Sequence, residues 1–154
     1  GIERFSAEAL MIPALKGTDR DAVLAELCQK LAAEGFVDDA GKLLESALKR
    51  EAIISTAVEN GLAFPHVRCV EGGALTLALG IAPKAIKFDP AGKASTRIVF
   101  FMVIPTAASA FYLKLLSGLS QVFQKAENRE KLLEADSPEK LWKALMKTTR
   151  LVIQ

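Results

Sequence analysis

The residues best suited to chemistry are concentrated in one stretch of the chain, residues 56–66. His66 is the only histidine among the 154 residues, and it follows a short apolar run and Pro65. A neutral imidazole nitrogen is a good phosphoryl acceptor near pH 7, because its ordinary pKa of about 6.5 leaves most of it deprotonated. A buried strand over residues 62–66 would deliver this ring at its tip with little positional freedom, which phosphoryl transfer requires.

Cations and hydroxyl groups surround this histidine in the sequence. They are supplied by Arg50 at the end of a predicted helix, by Ser55 and Thr56, and by Arg68. Guanidinium and hydroxyl donors beside an imidazole suit a dianionic phosphoryl group. We expect Arg50 to orient the site and offset charge, and Thr56 and Arg68 to donate hydrogen bonds. The alternative is that Arg50 and Arg68 are solvated charges at a helix end and in a loop.

The segment over residues 50–68 carries a resemblance to a known family. It reads R-E-A-I-I-S-T-A-V-E-N-G-L-A-F-P-H-V-R. This segment resembles the active-site segment of enzyme IIA domains of the fructose/mannitol type in the bacterial phosphoenolpyruvate-dependent phosphotransferase system, which nitrogen-regulatory IIA proteins share. The positions that match the family pattern are Arg50, Glu51, Ser55, Thr56, Gly61, Ala63, Pro65 and His66.

The resemblance implies a transferase component with a phosphohistidine intermediate. His66 would accept a phosphoryl group from the phosphocarrier HPr, or from a nitrogen-branch equivalent, and pass it to a IIB domain or use it as a regulatory signal. No metal or organic cofactor is expected, since the phosphohistidine is itself the carrier. A cytoplasmic location is expected as well.

One position departs from the family pattern. Family members that transfer phosphate usually have a second histidine at the start of the long helix, and Tyr112 stands in its place. A phenol can donate a hydrogen bond, but it cannot carry positive charge as an imidazolium does. The alternative function is therefore a IIA-like regulatory module that binds a transporter or kinase domain with weak or no phosphotransfer.

Composition excludes several other classes of protein. The net charge of +2 arises from 20 basic and 18 acidic residues, so nucleic acid is not an expected partner. The longest apolar run, residues 98–104, is far shorter than the roughly 20 residues of a membrane span. Cys28 lies on an apolar helical stripe and is expected to be a core residue. Cys69 is expected to be an exposed bystander, with a catalytic thiol as the alternative.

The pattern of apolar residues and breakers predicts one domain over residues 1–154, with residues 1–6 as a flexible or tag-derived end. Strands are predicted at 9–15, 62–66, 75–82, 85–88 and 96–104. Helices are predicted at 19–34 with Thr18 as the N-cap, at 39–50, at 107–125, as a turn or two at 130–134, and from Ser137-Pro138 onward. The predicted class is α/β (α+β), a mixed sheet of about five strands with helices on both sides, as in the IIA fold. Phe64 and Val67 are expected to contribute to a partner surface around His66.

Overall fold

The computed structural model describes residues 1–154 except the side chain of Cys69, so the expectation for this thiol lies outside the described residues. The strands are β1 (Met11–Ile12), β2 (Leu62–Ala63), β3 (His66–Val70), β4 (Thr76–Ile86) and β5 (Thr96–Pro105). The helices are α1 (Arg20–Ala33), α2 (Ala40–Ile53), α3 (Ser109–Phe123), α4 (Ala126–Leu133) and α5 (Pro138–Thr149). Short 3₁₀ turns occupy Ile2–Arg4, Glu8–Leu10, Glu59–Gly61 and Thr106–Ala108.

The five strands form one mixed sheet with β5 near its centre. Strand β4 pairs antiparallel with β5, and β1 pairs parallel with the far side of β4. Strands β2 and β3 both pair parallel with β5, one after the other along its length. This confirms the predicted mixed sheet, and the seven-residue apolar run lies in its most buried strand.

The helices flank the sheet in two groups. Helix α1 packs on α2, and these helices contact β4 and β3; helices α3, α4 and α5 pack on one another, and α3 and α5 contact β5 and β1. The core between sheet and helices includes Cys28, as predicted, and burial raises the pKa of this thiol to about 12. The phenyl ring of Phe100 on β5 lies between those of Phe64 and Phe123, with centroids 5.4 and 5.3 Å away.

Side-chain caps set the beginnings of three helices. The carboxylates of Asp19 and Asp39 accept hydrogen bonds from backbone N–H groups in the first turns of α1 and α2, at 2.9 and 3.0 Å. Ser137 caps α5 in the same way, ahead of Pro138 at the first helical position. The prediction of Thr18 as the cap of α1 is therefore wrong, because Asp19 is the residue whose side chain reaches the free N–H of Ala22.

Several predicted boundaries shift in the structure. Strand β1 has only two residues, because residues 8–10 form a 3₁₀ turn. The two strands predicted at 75–82 and 85–88 are one strand, β4, with an irregular register between Ile81 and Ile86. The turn predicted at 130–134 is an eight-residue helix, α4. Helix α2 continues three residues beyond its predicted end at Arg50.

The N-terminal residues, which were expected to be a flexible or tag-derived end, pack against the sheet. The side chain of Ile2 is buried in the core. The backbone N–H of Leu77 on β4 donates to the carbonyl of Phe5 at 2.7 Å, and the hydroxyl of Ser6 donates to the carbonyl of Leu77. This segment therefore lies along the outer edge of β4.

Candidate functional site

His66 is the first residue of β3, where it is paired with Met102 of β5. The predicted strand over residues 62–66 is interrupted after Ala63, so the histidine opens a strand instead of closing one. Pro65 has no N–H to donate to a sheet, and its carbonyl accepts a hydrogen bond from the N–H of Met102 at 3.1 Å. The interruption turns the chain at Phe64 and Pro65 while both flanking strands stay on β5.

A backbone carbonyl determines which nitrogen of the imidazole carries the proton. Nδ1 of His66 lies 3.0 Å from the carbonyl oxygen of Phe64. A carbonyl oxygen can only accept, so this contact assigns the proton of the neutral ring to Nδ1. The lone pair of Nε2 is then free, and Nε2 is the nitrogen able to accept a phosphoryl group.

The surroundings of His66 keep the ring neutral. Its residue surface is only 7 % exposed. Burial lowers the pKa of His66 below its ordinary value, and the hydrogen bond to Phe64 opposes this shift. The positive charges of Arg50 and Arg68 lower the pKa further, whereas the negative charge of Glu51 raises it. The net direction is downward, so the unprotonated form of Nε2 predominates at neutral pH.

A cavity of about 470 Å³ brings most of the predicted site residues together. It lies between the segment that follows α2 and the outer part of α3. Four predicted residues line it, namely Arg50, Thr56, His66 and Tyr112. The other lining residues are Ser55, Val58, Glu59, Asn60, Leu62, Phe64, Leu116, Ser120 and Gln124. The ring of His66 is largely covered by protein, but the space in front of it can hold a group much larger than a phosphoryl group.

Arg50 is presented from the last turn of α2. One terminal nitrogen of its guanidinium group donates to the carbonyl of Ile54 at 3.0 Å, which orients the side chain. A guanidinium group has five N–H donors, so the remaining donors of Arg50 stay available to an anion in the cavity. A rigid helix thus holds this cation in place.

Tyr112 lies between the histidine and Arg68 and contacts both side chains. The ring centroids of His66 and Tyr112 are 5.3 Å apart, with planes inclined at 39°. The guanidinium carbon of Arg68 lies 5.4 Å from the centroid of the Tyr112 ring, a cation–π contact. Arg68 is exposed and reaches the site through this ring, since it does not line the cavity with the other four residues.

Thr56 and Glu51 form a buried pair that sequence reasoning missed. The hydroxyl of Thr56 donates to one oxygen of the Glu51 carboxylate, and its backbone N–H donates to the other at 2.9 Å. The hydroxyl proton of Thr56 is therefore engaged, and its expected donation to a phosphoryl group does not occur in this arrangement. A signal was present, because Glu51 lies four residues after Ala47 on the apolar side of α2, where a carboxylate needs a partner.

Neither of the two residues that were expected to contribute to a partner surface is exposed. Phe64 and Val67 are both buried, because Phe64 stacks on Phe100 and Val67 is paired within the sheet. Exposed apolar side chains near the cavity include Ile53, Ile54 and Val58, which follow Arg50, and Phe111 and Leu113, which flank Tyr112. Ile53 is 80 % exposed and Ile54 is 67 % exposed, which makes these two side chains the most exposed of this group.

Neither a metal cluster nor a membrane-spanning helix is found in the part of the chain that the structure describes. No group of three or more His, Cys, Asp or Glu side chains in this part of the chain could hold a metal ion. Among the described helices, none combines the length and the apolar character needed to cross a membrane.

Comparison with known protein families finds a match over most of the chain. The model of the family described as "Phosphoenolpyruvate-dependent sugar phosphotransferase system, EIIA 2" matches residues 5–148. A fructose-specific EIIA component from Haloferax volcanii is 33% identical over 103 residues, which cover 67% of each chain. A nitrogen regulatory protein from Pseudomonas aeruginosa is 27% identical over 130 residues, which cover 84% of each chain.

Solved structures share the fold at low sequence identity. The nitrogen regulatory protein IIA-Ntr from Neisseria meningitidis superposes with a TM-score of 0.83 at 22% identity, covering 94% of this chain and 98% of that one. Enzyme IIA of the mannitol system from Escherichia coli, solved in complex with phosphorylated enzyme IIB, superposes with a TM-score of 0.71 at 14% identity. That comparison covers 92% of this chain and 96% of the other. These similarities establish the IIA fold for this chain.

Proposed function

Because the chain belongs to the EIIA 2 family of the phosphoenolpyruvate-dependent sugar phosphotransferase system, we propose that it carries a phosphoryl group on Nε2 of His66. One observation supports this choice of atom above the others. The hydrogen bond from Nδ1 to the carbonyl of Phe64 leaves Nε2 as the nitrogen with a free lone pair, in a ring that lines the cavity. The proposal includes a cytoplasmic location.

The transfer needs little from the protein except alignment and charge. The lone pair of Nε2 forms a bond to the incoming phosphorus while the bond between phosphorus and the donor atom breaks, and that electron pair stays with the donor. The ring gains positive character as the new bond forms. The carbonyl of Phe64 stabilises this charge through the proton on Nδ1, so the ring needs no rearrangement during transfer.

In this proposal two arginines offset the negative charge of the phosphoryl group. Arg50 lies in the cavity wall with free N–H donors and would contact the phosphoryl oxygens directly. Arg68 would act through its charge, from its position against the ring of Tyr112. Tyr112 covers one side of His66. It stands where family members usually have a second histidine, so a neutral phenol takes the place of a group that can carry positive charge. No metal is part of the proposed step, because the covalent phosphohistidine is the carrier.

The proposed partners are the phosphocarrier HPr, or a nitrogen-branch equivalent, as donor, and a IIB domain or a regulated transporter or kinase as recipient. The mannitol enzyme IIA that shares this fold was solved with phosphorylated enzyme IIB, which supports a IIB domain as one recipient. A partner would cover the cavity mouth, where Ile53, Ile54 and Val58 supply an exposed apolar contact next to Arg50.

The proposal is tested by incubating the protein with phosphoenolpyruvate, enzyme I and HPr and measuring its intact mass. We expect the mass of one phosphoryl group to be gained, to be lost in acid, and to be absent in His66→Gln. Arg50→Ala should slow uptake by about 100-fold, as expected when a charge-stabilising donor is removed. Lys49→Ala is the matched control, because this neighbouring cation is exposed and paired with Glu45.

Uptake that persists in His66→Gln would place the phosphoryl group on another residue and reject the proposed acceptor. No uptake by the wild-type protein from a broad set of phosphocarriers, including nitrogen-branch forms, would favour the alternative of a regulatory binding module. The family membership and the free Nε2 both favour the carrier.

A further inference from the structure

A continuous run of hydrogen bonds connects the end of α2 with the imidazole of His66. The carboxylate of Glu51, which is 3 % exposed, accepts from both the N–H and the hydroxyl of Thr56. The carbonyl of Thr56 accepts from the N–H of Phe64 at 3.1 Å. The carbonyl of Phe64 then accepts from Nδ1 of His66 at 3.0 Å.

We propose that Glu51 and Thr56 are positioning residues, which hold the carbonyl of Phe64 against Nδ1 of His66 and thereby keep Nε2 free to accept the phosphoryl group. This inference rests on the proposed function, since it explains how the acceptor nitrogen is selected. Neither residue needs to touch the phosphoryl group to act in this way.

The packing around this run of hydrogen bonds explains how Glu51 and Thr56 fix the position of the Phe64 carbonyl. Residues 56–58 lie antiparallel to residues 62–64, through a bridge between Ala57 and Ala63 and a hydrogen bond from Val58 N–H to the Leu62 carbonyl at 2.8 Å. This small hairpin contains a tight turn, with Asn60 and Gly61 both at positive φ. The hydrogen bonds of the Glu51 carboxylate hold the open end of the hairpin against α2. The position of the Phe64 carbonyl is therefore determined by its connection to a helix.

The buried carboxylate has a structural cost that its partners must offset. A carboxylate removed from water is unfavourable unless it is hydrogen-bonded, and both oxygens of Glu51 are used by Thr56. A leucine at this position would complete the apolar side of α2 without burying a charge. The choice of a charged residue is therefore accounted for by the two bonds that it makes to the hairpin.

The charge of Glu51 also acts on the ring directly. The groups that face His66 are Arg50 and Glu51 from α2, Arg68 from its own strand β3, and Tyr112 from α3. Of the three charged groups, Glu51 alone raises the pKa of His66. Removing the charge of Glu51 should therefore change the pKa of His66, whereas removing the hydroxyl of Thr56 should change the tautomer of the same ring.

The experiment uses NMR of the ¹⁵N-labelled protein, in which a single histidine makes the assignment unambiguous. The wild-type ring should show the proton on Nδ1 at neutral pH. Thr56→Val should reduce the population of this tautomer and slow phosphoryl uptake by about tenfold, the effect of one lost hydrogen bond. Thr56→Ser, which keeps the hydroxyl, should retain the wild-type tautomer population and the wild-type rate of uptake. Glu51→Gln, which keeps the side-chain volume, should lower the pKa of His66 further.

Thr149→Val is the matched control, because Thr149 is a buried threonine like Thr56, and its hydroxyl donates to the Leu145 carbonyl within α5, away from the site. It should reduce stability without changing the tautomer or the pKa of His66. A wild-type ring with its proton on Nε2 would overturn the inference whatever the variants do. So would an unchanged tautomer in folded Thr56→Val, whatever the pKa of His66 in Glu51→Gln, because the charge of Glu51 acts on that pKa without the hydrogen bonds.

The two proposals fail in different ways. The NMR measurements need no phosphoryl donor, so they report on the positioning role even if the wild-type protein takes up no phosphate. Absence of uptake with the expected tautomer changes would reject the carrier and retain the positioning pair. Uptake with no tautomer changes would retain the carrier and reject the pair.

Discussion

The single histidine is held in a neutral form by competing contacts at the scale of individual residues. Burial and two arginine charges lower the pKa of its ring, while the Phe64 carbonyl and the Glu51 carboxylate raise it. A nucleophilic nitrogen must be unprotonated, whereas a phosphoryl group needs cations nearby. The arrangement meets both needs, because the arginines attract the phosphoryl group and also oppose protonation of Nε2.

The lowered pKa of His66 has a consequence for stability. The unfolded chain, whose histidine has an ordinary pKa of about 6.5, binds a proton more readily than the folded chain. The unfolded state therefore holds more protons below this pH, and the free energy of unfolding should fall as the pH falls through the folded-state pKa. Above about pH 6.5 this contribution to stability is fully present.

This is checked by urea unfolding of the wild-type protein and His66→Gln at about pH 5 and about pH 7. We expect the wild-type protein to lose more stability on acidification than the variant, whose glutamine does not titrate. Equal losses in the two proteins would show that burial does not penalise the charged ring.

A second prediction concerns the residue that departs from the family pattern. Tyr112→His would place a second imidazole beside His66, where it can donate a charge-assisted hydrogen bond to the phosphoryl group. Such a bond exceeds a neutral one by about 1–2 kcal/mol, so the transfer rate should rise by about five- to thirty-fold. The measurement is phosphoryl uptake followed by intact mass over time.

Tyr112→Phe is the control for this variant, because it keeps the ring and supplies no charge. Its rate should not exceed that of the wild-type protein. A Tyr112→His variant that is no faster than the wild-type protein would show that the present stack with Arg68 already supplies the stabilisation.

At the scale of elements, α2 matters most, since it carries both Arg50 and Glu51 in its last turn. The opposite end of this helix is fixed by Asp39, whose side chain accepts from the N–H of Lys42. Asp39→Ala should lower the free energy of unfolding by about 1 kcal/mol, the usual effect of losing an N-cap. Denaturant unfolding measures this change directly.

Asp38→Ala is the comparison for the cap, because Asp38 is an exposed acidic neighbour that lies outside α2. It should change the free energy of unfolding by less than about 0.5 kcal/mol. If both variants lost the same stability, the loss would reflect general charge and not the cap.

The same helix shows how far the sequence alone could predict the structure. Its start was predictable from Asp39 and its inward face from the spacing of Leu43 and Ala47, because these signals are local. Its end was not, since the buried bond between Glu51 and Thr56 keeps the last turn in place, and that contact depends on the fold. The interruption at Pro65 was missed for a similar reason, because it is stabilised by pairing with Thr56 and Met102.

The candidate site also contains some features that the sequence predicts and others that depend on tertiary contacts. Arg50, His66 and Tyr112 were identified as neighbours through the resemblance to a family, and the structure places all three around one cavity. The sequence indicated that Glu51 needs a partner, but the identity of that partner and the exposure of Ile53 and Ile54 could not be predicted, since each depends on how α2 meets the hairpin. Local patterns identified the reactive groups, and tertiary contacts determined how they are held.

At the scale of the whole molecule, three aromatic rings join the site to the core. Phe64 stacks on Phe100 of β5, which in turn contacts Phe123 of α3. Phe100→Ala would leave a cavity between the site hairpin and the helix that carries Tyr112. The free energy of unfolding should fall by about 3–5 kcal/mol, as measured by denaturant unfolding.

Phe36→Ala provides the comparison, since Phe36 lies beyond the end of α1 with much of its ring exposed. Its removal should have an effect below about 1 kcal/mol. A similar loss in both variants would contradict this prediction, because it would mean that full burial of the Phe100 ring between two others adds nothing to stability.

The packing of residues 5, 6 and 15 against β4 affects what happens when the protein is stressed. Strand β1 pairs only with Leu79 and Gly80, and hydrogen bonds with residues 5, 6 and 15 engage Leu77 and Ile81 on either side of them. Detachment of residues 5, 6 and 15 would leave unpaired amides and carbonyls along β4, a long apolar strand. Another chain could then pair with this edge of the sheet. We expect release of residues 5, 6 and 15 to increase self-association, because it exposes this edge of β4.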